Sequence, residues 1–150
     1  MRMLSNFDLS KVLAQDRGFL SVFPREQLPK RLPYYPTALI INTDTANLRG
    51  KHWVAIFIDK NRLGEYYDSA ALPPPLMIVT WLNRFTSHWK TVVQRPLQNP
   101  LSTACGYYVI YFIKERFKVL HSQVLMQVFS NDVINNDSYV IQYVNRKTKL

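Results

Sequence analysis

Cysteine and glycine are scarce in this sequence, and a long apolar run is missing from it. The 150 residues include a single cysteine, Cys105, so no disulfide can form within the chain, which is typical of a protein from a reducing compartment. No stretch approaches the ~20 apolar residues of a membrane-spanning helix. The N-terminal sequence MRMLSNFDLSK also lacks the apolar core of a signal peptide. We therefore expect a protein that is neither secreted nor inserted in a membrane.

Acidic residues are also few, at 10 against 19 basic ones, which gives a net charge of +9. The last 75 residues carry 9 basic and 3 acidic residues, so the excess is larger in the C-terminal half. Such a charge favours a polyanion partner, and nucleic acid is the obvious class. The alternative is that the charge serves only solubility, since no dense block of lysine and arginine occurs. With 47% hydrophobic residues, the chain is predicted to fold as one domain, residues 1–150.

The stretch 98–118, QNPLSTACGYYVIYFIKERFK, is predicted to form the centre of the fold. Seven consecutive apolar residues follow Gly106, and an apolar surface on every side of a helix indicates a buried helix. Pro100 favours a start after it, and Ser102 or Thr103 is the expected N-cap. Cys105 would then lie in the first helical turn, where the helix dipole stabilises a thiolate.

A lone cysteine is more often a small buried hydrophobe than a reactive group. Three features of its surroundings favour reactivity here. Cys105 begins the predicted helix, Gly106 removes bulk beside it, and Gln98 offers an amide donor seven residues upstream. We therefore interpret Cys105 as a candidate nucleophile.

The other elements are predicted from local patterns. Helices are expected at 6–17, 77–85 and 122–130, and strands at 37–41, 53–58, 63–67, 91–94 and 139–144. Irregular chain is expected at 19–36, which holds four prolines, in a polar loop at 44–51, in a turn-like stretch at 131–138 and in a frayed tail at 146–150.

A predicted β-hairpin places a histidine near a carboxylate. His52 precedes the first strand, Asp68 follows the second, and both are eight residues from Lys60, the middle of the predicted turn. Residues that face each other in an antiparallel pair project on the same side with Cβ atoms about 5 Å apart. The pattern therefore predicts that His52 and Asp68 lie directly opposite each other.

Four side chains together supply the roles of a cysteine peptidase. Cys105 would attack as thiolate, His52 would exchange the proton, Asp68 would orient the imidazole, and the Gln98 amide would bind the oxyanion together with the Cys105 N–H. Histidine pairing promotes thiolate formation in such sites. One cysteine and three scattered histidines give no metal-ligand spacing, so we expect no metal and no cofactor for the chemistry.

The remaining histidines fit the role of the base less well. His88 has no carboxylate at hairpin spacing, and His121 follows the far end of the central helix. Asp59 lies in the predicted hairpin turn, where aspartate commonly serves as a turn former.

These residues also resemble a known family. The stretch Gln98–Gly106, read as Q-x-P-x-S-x-A-C-G, resembles the nucleophile motif of the adenovirus protease, adenain. Ile41–Thr43, a loop and then His52-Trp53 are similar to that family's segment around its histidine, and Tyr66-Tyr67-Asp68 stands where the family has its acid. Phe19-Leu20 and the stretch before it are similar to the family's N-terminus. The resemblance covers roughly residues 9 to 113. Its order of histidine, acid, glutamine and cysteine is shared with Ulp1-type SUMO proteases.

The resemblance implies an α+β fold with the nucleophile helix packed against a mixed sheet. It implies catalysis by Cys105, His52, Asp68 and Gln98, and cleavage of capsid or virion precursor proteins at small-residue, glycine-type sites. It also implies a viral or DNA-transposon source, in a virion or in the host nucleus or cytoplasm. The chain has aspartate where adenovirus enzymes have glutamate. It lacks the second cysteine that tethers their activating peptide, so a peptide activator held by a disulfide is excluded. The positive charge favours activation by DNA, while an untethered peptide stays open.

Two other functions remain open on the sequence alone. One is a deconjugating protease that trims a ubiquitin-like or SUMO-like tail after Gly-Gly. The other is a non-catalytic nucleic-acid-binding domain on a protease fold. The presence of all four catalytic residue types favours the enzyme.

Overall fold

A buried helix that begins at Cys105 runs through the middle of the fold, packed against a five-stranded sheet. The computed structural model describes residues 2–43 and 52–148. The predicted polar loop at 44–51 lies outside the described residues. The strands are β1 Phe19–Pro24, β2 Thr37–Asn42, β3 Trp53–Ile58, β4 Leu63–Tyr67 and β5 His88–Thr91. The helices are α1 Asn6–Leu13, α2 Leu76–Phe85, α3 Cys105–Arg116, α4 Ser122–Met126 and α5 Val133–Lys147, with a short 3-10 turn at Arg25–Gln27.

The strands lie across the sheet in chain order. The outer pairs, β1 with β2 and β4 with β5, are parallel, whereas β3 runs antiparallel to both of its neighbours. The sheet is therefore mixed, and together with the surrounding helices it confirms the predicted α+β class, with the central helix packed against a mixed sheet.

Alternation along β3 divides the core into two layers, because successive side chains in a strand point to opposite faces. Trp53, Ala55 and Phe57 pack on the layer that holds α1, α3, α4 and α5. The residues between them pack on the layer that holds α2. Every residue of β3 is buried, so the strand that follows His52 is fixed from both sides.

The central helix is buried as predicted but is capped differently. All residues from Cys105 to Ile113 are buried. The N-cap is Ala104, and no side chain caps the helix, so the expected cap by Ser102 or Thr103 is wrong. The Ser102 hydroxyl instead accepts from the Ala104 N–H at 3.4 Å. Cys105 is consequently the first residue of the helix.

The C-terminal prediction of a turn and an edge strand is wrong, because residues 133–147 form one helix. Asp132 caps it by accepting from the Asn135 N–H at 3.1 Å. Val140 and Val144 are wholly buried one turn apart, which is the helical spacing of a face that packs on a core. The tail predicted to be frayed from Arg146 also begins inside this helix.

Several smaller boundaries differ from the predictions. Residues 19–24, expected to be irregular, form β1, because their backbone pairs with β2. The strand expected at 91–94 lies earlier, at His88–Thr91. Helices α1 and α4 end four residues before their predicted ends. None of the described helices is both long and apolar enough to cross a bilayer.

Candidate active site

The hairpin of β3 and β4 brings His52 and Asp68 together, but in a register other than the predicted one. Ala55 lies opposite Tyr67 and Ile56 opposite Tyr66, so the hairpin is centred on residue 61 rather than 60. Continued to the strand ends, this register sets Asp68 across from Val54 and diagonally from His52. The predicted direct opposition is therefore wrong. The shift moves each residue's partner by two positions, so His52 and Asp68 still project on the same face of the sheet. Diagonal neighbours on one face remain close enough for their side chains to touch.

The imidazole of His52 and the carboxylate of Asp68 form a short contact. His52 Nε2 lies 2.8 Å from Asp68 Oδ1. The Asp68 side chain is 4% exposed and that of His52 is 25% exposed, so the acid is enclosed while the ring keeps an open side. The same carboxylate oxygen accepts from the Ala70 N–H at 2.9 Å. This second bond fixes the carboxylate independently of the histidine.

Cys105 lies on the other side of the same imidazole. The residue is only 3% exposed, at the N-terminus of α3, and its side chain hydrogen-bonds to His52. Because Nε2 contacts Asp68, the ring nitrogen left to bond with Cys105 is Nδ1. Burial opposes a charge on the ring, but hydrogen bonds to Asp68 and Cys105, and their negative charges, raise the pKa of His52 to about 10. A pKa this high favours the protonated form of the ring at neutral pH.

The Gln98 side chain is held at both ends of its amide. Oε1 accepts from the Ser69 hydroxyl at 2.6 Å, and Nε2 lies 3.1 Å from the Ser102 carbonyl and 3.3 Å from the Ser102 hydroxyl. Because the Ser102 carbonyl can only accept, the NH₂ group must face the turn that leads to Cys105, and the amide oxygen must face the Ser69 hydroxyl. The structure thus fixes which end of the amide points toward the start of α3.

Ser69 and Leu4 contribute to this arrangement, and the sequence analysis missed both. The Ser69 carbonyl accepts the N–H groups of Leu97 and Gln98 at 2.9 and 3.2 Å, which ties the residue after Asp68 to the Gln98 turn. Leu4 packs so close to Gly106 that an added Cβ there would lie 3.1 Å from the leucine Cβ. The role of Ser69 could have been suspected from its place directly after the acid. The role of Leu4 could not, because about a hundred residues separate it in sequence from Gly106.

The other two histidines lie at the opposite end of the central helix. His88 and His121 both line a cavity of about 680 Å³ that also includes Arg116 and Phe117, at the C-terminal end of α3. This placement agrees with His52 as the better candidate for the base. Within residues 2–43 and 52–148, no three metal-ligating side chains form a group that could hold an ion.

Comparisons with known proteins identify the family of this chain. The family model described as "Ulp1 protease family, C-terminal catalytic domain" matches residues 38–141. Two curated relatives from African swine fever virus, "SUMO-1 cysteine protease S273R" and "Cysteine protease S273R", are each 33% identical over 88 residues. The alignment covers 51% of this chain and 32% of each relative, so the match spans about a third of the viral proteins.

Solved structures show the same fold. A crystal structure of the African swine fever virus pS273R protease superposes with a TM-score of 0.69 at 20% identity, covering 90% of this chain and 64% of the viral one. The central domain of the Lpg1148 protein from Legionella pneumophila superposes with a TM-score of 0.56 at 12% identity, covering 99% and 97% of the two chains. At these identities the likeness concerns the fold alone.

Proposed function

The chain belongs to the Ulp1 protease family, and we propose that it is a cysteine peptidase in which Cys105 is the nucleophile, His52 the base and Asp68 the orienting acid. The observation that supports this most strongly is the position of His52, whose ring bonds to Asp68 and to Cys105 at once. A nucleophile bonded to a base that is bonded in turn to an orienting group is the arrangement that nucleophilic catalysis requires.

The reaction follows from these positions. The Cys105 thiolate attacks the carbonyl carbon of the scissile peptide, and the carbonyl π electrons move to oxygen. As the C–N bond breaks, the His52 imidazolium gives its proton to the leaving amine, which leaves a thioester on Cys105. A water molecule then gives a proton to His52 and its oxygen attacks the thioester. The acid product leaves, the C–S electrons return to sulfur, and the thiolate–imidazolium pair is restored.

Gln98 is the proposed oxyanion donor, together with the N–H of Cys105. The first N–H groups of a helix point out of its N-terminal end, toward the positive end of the dipole. One hydrogen of the Gln98 amide satisfies the Ser102 carbonyl. The contact with the Ser102 hydroxyl, at 3.3 Å, is the longer one, and the oxyanion would replace it.

Gln98→Ala is therefore expected to lower kcat by about 10²–10³-fold while KM changes little, the usual loss for one oxyanion donor. The measurement is steady-state hydrolysis of a panel of fluorogenic peptides, several of which end in Gly-Gly before the dye. Gln94→Ala is the matched control, because Gln94 is exposed and its amide donates to Thr91. A Gln98→Ala protein that loses melting temperature but keeps its kcat would mean that Gln98 only holds the loop.

For substrates, we propose precursor proteins of a virus particle or capsid, cut at small-residue, glycine-type sites. The support is the resemblance to adenain and the match to viral cysteine proteases. A SUMO-like conjugate is the second candidate, because one matched relative bears the name SUMO-1 cysteine protease. Incubation with SUMO fusions and with capsid proteins from the same genome distinguishes the two. Cleavage of the fusions alone would contradict the precursor proposal.

DNA is proposed as a weak, non-specific partner that binds through its phosphates, on the strength of the +9 charge. If about four phosphates are neutralised, log affinity should fall against log salt with a slope of about −3.6 on duplex DNA. Fluorescence anisotropy with two unrelated duplexes measures this slope, and the two should bind alike. Affinity that does not change with salt, or no binding at low salt, would leave the charge as a solubility feature.

A further inference from the structure

Two polar side chains of α5 form hydrogen bonds with the backbone of the turn that carries Gln98. The Asn136 side-chain amide donates to the Leu97 carbonyl at 3.1 Å, and Asp137 Oδ1 accepts from the Asn99 N–H at 3.2 Å. These are the residues directly before and after Gln98. Asn136 is 2% exposed and Asp137 is 8% exposed, and the Asn136 bond is buried whereas the Asp137 bond is partly buried.

The nucleophile helix joins the same network through Tyr108, which is wholly buried three residues after Cys105. Its hydroxyl donates to Asp137 Oδ1 at 2.7 Å and lies 3.1 Å from the Leu97 carbonyl. One carboxylate oxygen therefore binds both the Gln98 turn and α3. Burying a carboxylate costs free energy unless donors bond to it. The Asn99 N–H and the Tyr108 hydroxyl are such donors for Asp137.

These bonds matter because the turn is not part of a helix or sheet whose regular backbone hydrogen bonds would hold it. Gln98 and its neighbours belong to neither a helix nor a strand, and buried backbone groups need partners from elsewhere. Ser69, the residue after Asp68, donates to the Gln98 side chain, and Asp137 on α5 accepts from the Asn99 N–H. The position of the Gln98 turn thus depends on groups outside the reacting residues.

We propose that Asp137, supported by Asn136, is a positioning residue that sets the Gln98 amide against Cys105. This inference rests on the proposed role of Gln98 in binding the oxyanion. Asp137 touches no reacting atom; it acts through the Asn99 peptide group and through Tyr108.

Asp137→Ala is expected to lower kcat by about 10-fold or more with KM unchanged within about twofold, because small misplacements of a positioned group are costly. The substrate is the best peptide of the panel. Asp137→Asn keeps an acceptor oxygen and should recover most of the activity. The control is Asp132→Ala, which removes a capping aspartate from the same helix but no bond to the turn, and should keep kcat within about twofold.

The decisive step combines Asp137→Ala with Gln98→Ala. If Asp137 acts through Gln98, Asp137→Ala should lower kcat by less than about twofold in a protein that already carries Gln98→Ala. Alkylation of Cys105 by iodoacetamide needs no oxyanion donor and should proceed at the wild-type rate in every variant. If Asp137→Ala does not fold, Tyr108→Phe serves instead, since it removes one hydroxyl, and it should show the same dependence on Gln98.

Two results overturn this inference. One is Asp137→Ala, or its Tyr108→Phe substitute, with wild-type kcat, and the other is an equal loss with and without Gln98. Each is distinguishable from failure of the proposed function. A wild-type protein that cleaves no peptide of the panel, or a Gln98→Ala protein with full activity, contradicts the catalytic assignment instead.

Discussion

Cys105→Ala is expected to abolish peptide cleavage and to leave the protein folded. Losing the nucleophile of such a site typically lowers kcat on the order of 10⁶-fold. The packing loss is small, because one buried sulfur atom is comparable to one methylene, or about 1 kcal/mol. Cys105 is also the first residue of α3, so alanine in its place keeps the helix start intact.

The peptide panel and a thermal melt test this together. Cys105→Ser is a useful companion, since it keeps the side-chain shape and replaces the thiol by a far less acidic hydroxyl, and it should also be inactive. Cleavage by Cys105→Ala at the wild-type rate would show that this cysteine is not the nucleophile. Loss of the folded state would mean that the residue is mainly structural.

Asp68→Asn is expected to lower kcat by up to about 10⁴-fold, the loss seen when an amide replaces the acid of a catalytic triad. The amide cannot stabilise the imidazolium, and its NH₂ group can turn toward Nε2 and favour the wrong tautomer. The ranking of peptides by rate should stay the same, because Asp68 is 3% exposed and lies behind His52.

Asp59→Asn is the matched control for that variant, in the same hairpin. Asp59 Oδ1 accepts the N–H groups of Asn61 and Leu63 at 2.8 and 2.9 Å, which places it in the turn, as the sequence predicted. Its replacement should affect stability and leave kcat near the wild-type value. Equal losses in the two variants would show that Asp68 has no special relation to His52.

The parts of the structure that the sequence could predict are those with a strong local pattern. The apolar run after Gly106 predicted a buried helix, and the turn after Ile58 predicted the hairpin. The register could not be fixed this way, because turn geometry moves the centre of a hairpin by one residue without changing the hydrophobic alternation. The contact between His52 and Asp68 tolerated that error, since both side chains reach diagonally.

The parts that could not be predicted depend on distant partners. Tyr139, Val140 and Val144 favour strand by their propensity, but the cap at Asp132 and packing against α3 make residues 133–147 a helix. The bonds of Asp137 to Asn99 and Tyr108 join segments about 30 to 40 residues apart, and no local pattern indicates them. The same holds for Leu4 below Gly106.

The charge on His52 tests the account most directly, because the whole mechanism depends on an imidazolium held between Asp68 and Cys105. The measurement is an NMR titration of isotope-labelled histidine, with His88→Gln and His121→Gln used to assign the signals. We expect His52 to remain protonated through pH 9 and to titrate with a pKa of about 10, and we expect a lower pKa in Cys105→Ala, which lacks the hydrogen bond and the electrostatic attraction that Cys105 supplies. A pKa near the ordinary histidine value of about 6.5 in the wild-type protein would contradict the account.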